Sequence, residues 1–475
     1  VNRTRLSLSL PDAREHGDLP RVVRASYTPS SFPDTGVLYT SGGNCFEHYF
    51  RPSELDSMAK NIVFVFDLSD SMRGTKLNQA KAALKSFITE TLTPRDSFTI
   101  QLFGDKGTMD LIRAPAATDA EKSDAIVFMN KQWPSSHRTN LHAAFLEGLL
   151  RAQRDMDARE DDEEAVPTVD LIVFISDGWA TTGQTNRRRI VEDIYHLNQS
   201  GKKPIKIFTL GFRDYADMEL LNAIAAMNGG VSATLVSDDN VDWQMENFFL
   251  SEFGEVLLAD VSVDYEGGNL FVYGETEQTF PLLAGGYEVV VRGLYETDNV
   301  EGGGDDLLRA VTKATTTTGP QEWVAKSIPR DASDSVCQQS YAHARISQLL
   351  RLKDLANLVG DETLKKAVGL REPCEKDKKM SECIEEEALA VALEAGVVAT
   401  GLTGMVTVDE DKCFDFAGET EICRDGTTAS FGHASTSGSG YSDSSDAVKP
   451  ASWPCLWLVM FWTVIPVAGL LVDWL

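Results

Sequence analysis

The run Asn61-Ile62-Val63-Phe64-Val65-Phe66 carries no charge and stops abruptly at Asp67-Leu68-Ser69-Asp70-Ser71. A strand that is apolar at every position must be covered on both faces, which points to a parallel sheet between helices rather than an antiparallel sheet with one wet face. The residues that follow repeat the alternation. Leu77, Ala80, Leu84, Phe87 and Ile88 fall at helical spacing within 76–92. Phe98–Phe103 reads as strand, Leu141–Ala152 as helix, Leu171–Ser176 as strand and Arg187–Asn198 as helix. Ile205–Gly211 reads as strand, Asp217–Met227 as helix, Val231–Val236 as strand and Asp242–Phe253 as a last helix. Residues 59–255 are therefore expected to form an α/β unit, a doubly wound, mostly parallel sheet.

The flanking segments have β character. Residues 1–58 hold short alternating runs such as Arg21–Tyr27 and Cys45–Phe50, and 256–332 hold further strands separated by Gly pairs. Neither segment has enough strands for a stable sheet of its own. They are expected to pair in space as a β-sandwich into which the α/β unit is inserted, with Lys60 and Phe253 close together. Residues 333–412 are expected to be a small helical region, with Ala342, Ile346, Leu349, Leu350, Leu355 and Leu358 on one stripe. Residues 413–452 read as a Ser/Gly-rich stalk and 453–475 as a hydrophobic C-terminal segment.

The loop after the first buried strand is the chemically loaded one. In open α/β sheets, ligands bind at the carboxyl ends of the strands. Asp67, Ser69 and Ser71 present one carboxylate and two hydroxyls there. A second loop, Ser136–Leu141, puts the Thr139 hydroxyl just before a helix, and a third, Ile175–Gly178, puts Asp177 at the end of another apolar strand. These are hard oxygen donors, suited to Mg²⁺ or Mn²⁺, with Ca²⁺ as an alternative. Ser and Asp after a strand are also ordinary helix caps, but capping does not require three such loops in this order.

The motif D-x-S-x-S over 67–71 resembles the metal-ion-dependent adhesion site of the von Willebrand factor A domain. Asn61–Lys76, Thr93–Asp96, Thr209–Phe212 and Glu394–Val408 narrow the likeness to the inter-α-trypsin inhibitor heavy chains, and Cys45–Pro52 resembles the end of their VIT domain. The resemblance covers roughly 40–410 and implies that Asp67, Ser69, Ser71, Thr139 and Asp177 hold the metal, leaving a coordination position for an acidic side chain of a protein partner. Asp70 departs from the family, which more often has Gly there; it is expected to face solvent rather than the ion. Those heavy chains mature at an Asp-Pro-His-Phe-type motif that this sequence lacks, so covalent attachment to a glycosaminoglycan is not expected.

Composition narrows the function classes. With 44 basic and 72 acidic residues the formal charge is −28, which disfavours nucleic acid as a partner. No HExxH, Cys-His zinc spacing, nucleophile elbow or P-loop is present, so an enzyme is not expected. The acidic run Asp155–Glu164 reads as a solvated loop. Asn2 and Asn198 fit glycosylation sequons. From Pro450 to Val472 there is no charged residue, and no Lys or Arg follows. Small residues, a spacer and an apolar tail read as a GPI signal with attachment at Ser442, or at Asp443 or Ser445; a transmembrane helix is the competing reading. The chain opens on Val1 rather than Met and reads as lacking an N-terminal segment.

Of seven cysteines, Cys455 lies in the apolar tail. The other six favour the short-range pairs Cys374–Cys383 and Cys413–Cys423, which leaves Cys45 with Cys337; free thiols are the alternative in an intracellular protein. The expectation is an extracellular, membrane-tethered adhesion or matrix-binding protein. Its alternatives are an intracellular VIT/A-domain assembly scaffold and a channel α2δ-like auxiliary subunit.

Overall fold

The computed structural model describes residues 33–41, 44–52, 54–134, 137–160, 166–177, 179–212, 216–236, 240–267, 270–297, 308–330, 336–361, 364–365, 369–371, 373–375, 378–399, 402, 414–416 and 420–422. The chain lays down β1 (Val37–Ser41) and β2 (Cys45–Phe50), then builds the α/β unit. That unit runs β3 (Ala59–Asp67), α1 (Thr75–Glu90), β4 (Ser97–Phe103), β5 (Asp110–Ala114), α2 (Asp119–Asn130), α3 (Leu141–Glu160) and β6 (Thr168–Ser176). It continues with α4 (Arg187–Gln199), β7 (Lys206–Phe212), α5 (Met218–Met227), β8 (Ser232–Leu235) and α6 (Val241–Phe249), closed by a π-helical turn, Leu250–Gly254.

The six strands lie in the order β5-β4-β3-β6-β7-β8, all parallel to their neighbours except β5, which is antiparallel to β4. All nine residues of β3 are buried, as its apolar sequence requires. Alternate side chains leave it in opposite directions. Ile62, Phe64 and Phe66 join one core with Phe87, Phe249 and Phe253; Val63 and Val65 join the other with Phe145, Phe174 and Ile190. The Phe145 and Phe174 rings stack with centroids 3.8 Å apart.

The chain then returns to the first two strands. It forms β9 (Val256–Glu266), β10 (Leu270–Tyr273), β11 (Thr279–Ala284), β12 (Val289–Thr297), β13 (Arg309–Thr316) and β14 (Gly319–Pro329). The eight-stranded order is β10-β12-β2-β1-β14-β13-β9-β11. β2 is antiparallel to β12, and β1 is parallel to β14, so the early strands are wedged between late ones. Leu38, Phe46 and Phe50 share a core with Val261, Val263, Leu283, Val291 and Ala310. The fold is thus a doubly wound α/β unit inserted in a β-sandwich. The two ends of the insertion meet: Met58 N–H donates to the Val256 carbonyl at 2.7 Å, and Lys60 Nζ to the Gly254 carbonyl at 3.3 Å.

Two helices, α7 (Val336–Leu355) and α8 (Met380–Ala395), fasten the sandwich to the α/β unit. The expected apolar stripe is split between two cores. Ala342 and Ile346 pack with Cys45 and Cys337, while Leu349, Leu355 and Leu358 join the core of α3 and α4. Disulfides join Cys45 to Cys337, 292 residues apart, and Cys374 to Cys383. Between the helices, Arg345 is 1% exposed and donates to Glu387 Oε1 from Nε at 3.0 Å and from Nη2 at 2.6 Å.

Three expectations are corrected. Asn198 is fully buried: its amide donates to the Ile205 carbonyl at 2.7 Å and to Asn228 Oδ1 at 2.9 Å, and its carbonyl accepts from Ile205 N–H at 2.8 Å. A glycan cannot be attached there without unmaking that corner of the fold. The span 413–452 holds a short hairpin, β15 (Phe414–Phe416) paired with β16 (Thr420–Ile422), before any stalk. The acidic run starts inside α3 rather than in a loop, and Asp155 is buried against Arg113. Asn2, Cys413, Cys423, Ser442, Asp443, Ser445 and 453–475 lie outside the described residues. Among the described residues no helix is long and apolar enough to cross a membrane.

Candidate metal centre

The carboxyl ends of β3 and β6 are neighbours in the sheet; β3 ends in an acid, Asp67, and β6 is followed directly by another, Asp177. β3 stops because the Asp67 carboxylate bends the chain back on itself: Oδ1 accepts the Ser69 N–H at 2.8 Å. A 3₁₀ turn, Asp70–Met72, follows, pinned by the fully buried Met72. Gly74 then turns the chain into α1 at φ +93°, a backbone conformation that glycine adopts without steric cost.

The acids are wired together by hydroxyls. Ser176, the last residue of β6, donates its hydroxyl to Asp67 Oδ2 at 2.5 Å. Ser71 donates to Asp177 Oδ1 at 2.7 Å, and the Ser69 and Ser71 oxygens are 2.9 Å apart. Asp67 and Asp177 are fully buried and Ser69 nearly so, whereas Ser71 is exposed. The network therefore has a dry floor and an open mouth. Lys76, on the first turn of α1, places Nζ 2.6 Å from Asp177 Oδ2.

Four of the five expected ligands thus form one network. Thr139 sits just before α3, 4% exposed, with its backbone clasped by Thr181: its N–H donates to Thr181 Oγ1 at 2.8 Å, and its carbonyl accepts the Thr181 N–H at 2.9 Å. Among the described residues no hydrogen bond links Thr139 to the other four. Asp70 stays outside the network. It lies on the rim, accepting from Arg73 at 3.0 Å and facing His137. The Arg73 guanidinium holds its carboxyl below the usual carboxylate range. Ser176, Thr181 and Lys76 were not singled out in the sequence. Ser176 is adjacent to Asp177 and Lys76 closes the quoted motif; for Thr181 no sequence signal exists.

Burial pushes the Asp67 carboxyl up to about 6, against the pull of its hydrogen bonds from Ser176 and Ser69, and the charge of Asp177 adds to the rise. The two acids meet, among the described residues, one ammonium, that of Lys76 on Asp177. Among the described residues no three His, Cys, Asp or Glu side chains converge, so two acids would be completed by hydroxyl oxygens. That donor set fits a hard divalent ion with an open position toward solvent.

Residues 60–234 match the von Willebrand factor type A domain. The chain is 29% identical over 250 residues to inter-alpha-trypsin inhibitor heavy chain H1 of Mesocricetus auratus, covering 53% of this chain and 26% of that protein. It is 31% identical over 258 residues to heavy chain H6 of Homo sapiens, covering 52% and 18%, and 29% identical over 320 residues to human heavy chain H4, covering 64% and 32%. The alignments therefore span about a third or less of these relatives. Among solved structures, similarity extends to a von Willebrand factor type A protein from Catenulispora acidiphila, with 13% identity and a TM-score of 0.48, over 78% of this chain and 89% of that one.

Proposed function

We propose, for a chain that carries a von Willebrand factor type A domain and is an inter-α-trypsin inhibitor heavy chain-like protein, that the metal edge is an adhesion site. A divalent ion, Mg²⁺ or Mn²⁺ before Ca²⁺, is held by Asp67, Ser69, Ser71, Thr139 and Asp177 and takes an acidic side chain of a protein partner, in the extracellular matrix or on a cell. The observation that carries this reading is the pair of fully buried acids, Asp67 and Asp177, wired by hydroxyls toward an exposed Ser71. A purely structural acid gains nothing from a second buried acid beside it. On this reading the ion holds a partner's carboxylate and no reaction is catalysed.

Calorimetry tests it directly. Asp67→Ala should abolish Mg²⁺ and Mn²⁺ binding while the circular dichroism spectrum stays that of the wild type. Ser71→Ala should weaken binding less, because a neutral ligand is lost rather than a charge. A variant without Asp67 that still binds the ion sinks the reading. The extracellular placement is supported by the Cys45–Cys337 and Cys374–Cys383 disulfides, which suit an oxidising compartment. The finer part of the proposal, a GPI tether at Ser442 or at Asp443 or Ser445, is tested by phosphatidylinositol-specific phospholipase: release of an ectodomain without Cys455 supports it.

A further inference from the structure

Asp67 and Asp177 bring two negative charges to a fully buried floor, and Lys76 brings one positive charge to the same place. The ammonium is held from three sides. It is 2.6 Å from Asp177 Oδ2 and 3.4 Å from the Ser71 carbonyl oxygen, and it lies 5.7 Å from the centre of the Phe212 ring. The Lys76 side chain is 18% exposed, so this is a partly dry ion pair and not a surface contact. α1 fixes where the lysine starts, and Phe212 at the end of β7 fixes where its head rests.

The charge count shows what this does. Among the described residues, one ammonium leaves the floor one charge short of neutral. A divalent ion alone neutralises both acids, and a divalent ion together with the ammonium overshoots. The ion must also draw on the Asp177 carboxylate, one oxygen of which the ammonium already holds. Resting on the metal reading above, we propose that Lys76 is the resident counter-cation of the site, competing with the divalent ion for Asp177 and setting its affinity low. Two cations close together repel strongly where water is scarce. The Ser71 hydroxyl, on the other Asp177 oxygen, orients that carboxylate without the lysine. The same competition means that the ion-loaded site carries a surplus positive charge, which an acidic partner side chain neutralises.

The opposite role, a lysine that positions Asp177 for the ion, predicts the opposite sign, and that is the test. The full chain is titrated calorimetrically with Mg²⁺ and with Mn²⁺ alone, as wild type, Lys76→Met and Lys76→Arg. Lys76→Met should bind either ion about tenfold or more tightly than wild type, because a like charge has been removed from the pocket. Lys76→Arg, which keeps the charge, should stay within a few-fold of wild type. In chelator, Lys76→Met should melt below wild type, since both acids are then uncompensated, and it should gain more from saturating Mg²⁺. Binding by wild type with no tighter binding by Lys76→Met overturns the Lys76 proposal alone. An equal gain in Lys76→Arg overturns it too, since charge is then not the agent. Silence from both wild type and Lys76→Met overturns the metal reading with it.

Discussion

In the sandwich, Glu47 on β2 is 3% exposed and meets more positive charge than it carries: Arg330 Nη1 donates to it at 2.7 Å, Arg292 Nε at 3.3 Å and the Ser340 hydroxyl at 2.6 Å. At the edge of the α/β sheet, Asp67 and Asp177 are buried just as deeply, and among the described residues one ammonium, that of Lys76, pairs there, with Asp177. Both arrangements satisfy hydrogen bonds, and they differ in charge. Glu47 ties β2, β12, the end of β14 and α7 together with its charge fully answered, which is what a permanent joint requires. Among the described residues, the edge that holds Asp67 and Asp177 is left under-neutralised, as the proposed cation site requires. Buried acids in one fold thus sort into mortar and socket by their counter-charge.

The largest expected effect sharpens that contrast. Glu47→Gln keeps the shape and strands the buried guanidinium of Arg292 and the partly exposed one of Arg330, so urea unfolding should show a loss of about 3 kcal/mol. A loss below about 1 kcal/mol would break the comparison, placing Glu47 with weak surface pairs.

A second measurement uses the neighbouring residue. His48 is fully buried, its Nε2 has no hydrogen-bond partner among the described residues, and the Tyr265 hydroxyl lies 3.3 Å from its Nδ1. Burial lowers its pKa from 6.5 to about 4. The folded state therefore binds fewer protons than the unfolded chain between those values. The His48 contribution is complete above about pH 6.5 and is lost as pH falls toward 4, up to about 3 kcal/mol in all. Stability measured against pH should show that loss, and His48→Phe should flatten it.

The smallest effect lies at the metal edge and has the reverse sign. In chelator at pH 7, Asp67→Asn should stabilise the protein by about 1 kcal/mol, because the raised pKa means that the charged carboxylate burdens the metal-free fold. The same variant should lose the stabilisation that Mg²⁺ gives to wild type. Destabilisation in chelator would put Asp67 in the same class as Glu47.

The parts of this molecule that were legible in the sequence are those whose signal is local and strong. β3 announced itself because every residue is buried, and the Asp67 and Asp177 loops because acids directly follow apolar strands. The insertion followed from strand shortage on either side. β5 and α2 left no comparable mark. β5 is a half-exposed edge strand, and α2 buries only three residues, Lys122, Ala125 and Met129. A capping box between Thr118 and Glu121 was the available clue to α2. Asn198 shows the other limit: its sequon is read from three residues, whereas its burial is set by Ile205 and Asn228, beyond that window. Lys76 and Asp177 are 101 residues apart, and only the fold reveals the pair.

The place where the insertion joins the sandwich has a mechanical consequence. The chain enters at the first residues of β3 and leaves at Gly254, side by side, while the Asp67 loop lies at the far end of β3, about 30 Å away for nine residues of strand. A pull applied at the Asp67 loop against the sandwich runs lengthwise along β3. That strand is bonded on both sides, to β4 over Asn61–Asp67 and to β6 over Ala59–Phe66, with every partner parallel to the load. Its hydrogen bonds are strained together in shear instead of being peeled one after another, so the tether resists as a sheet and not as a single rung.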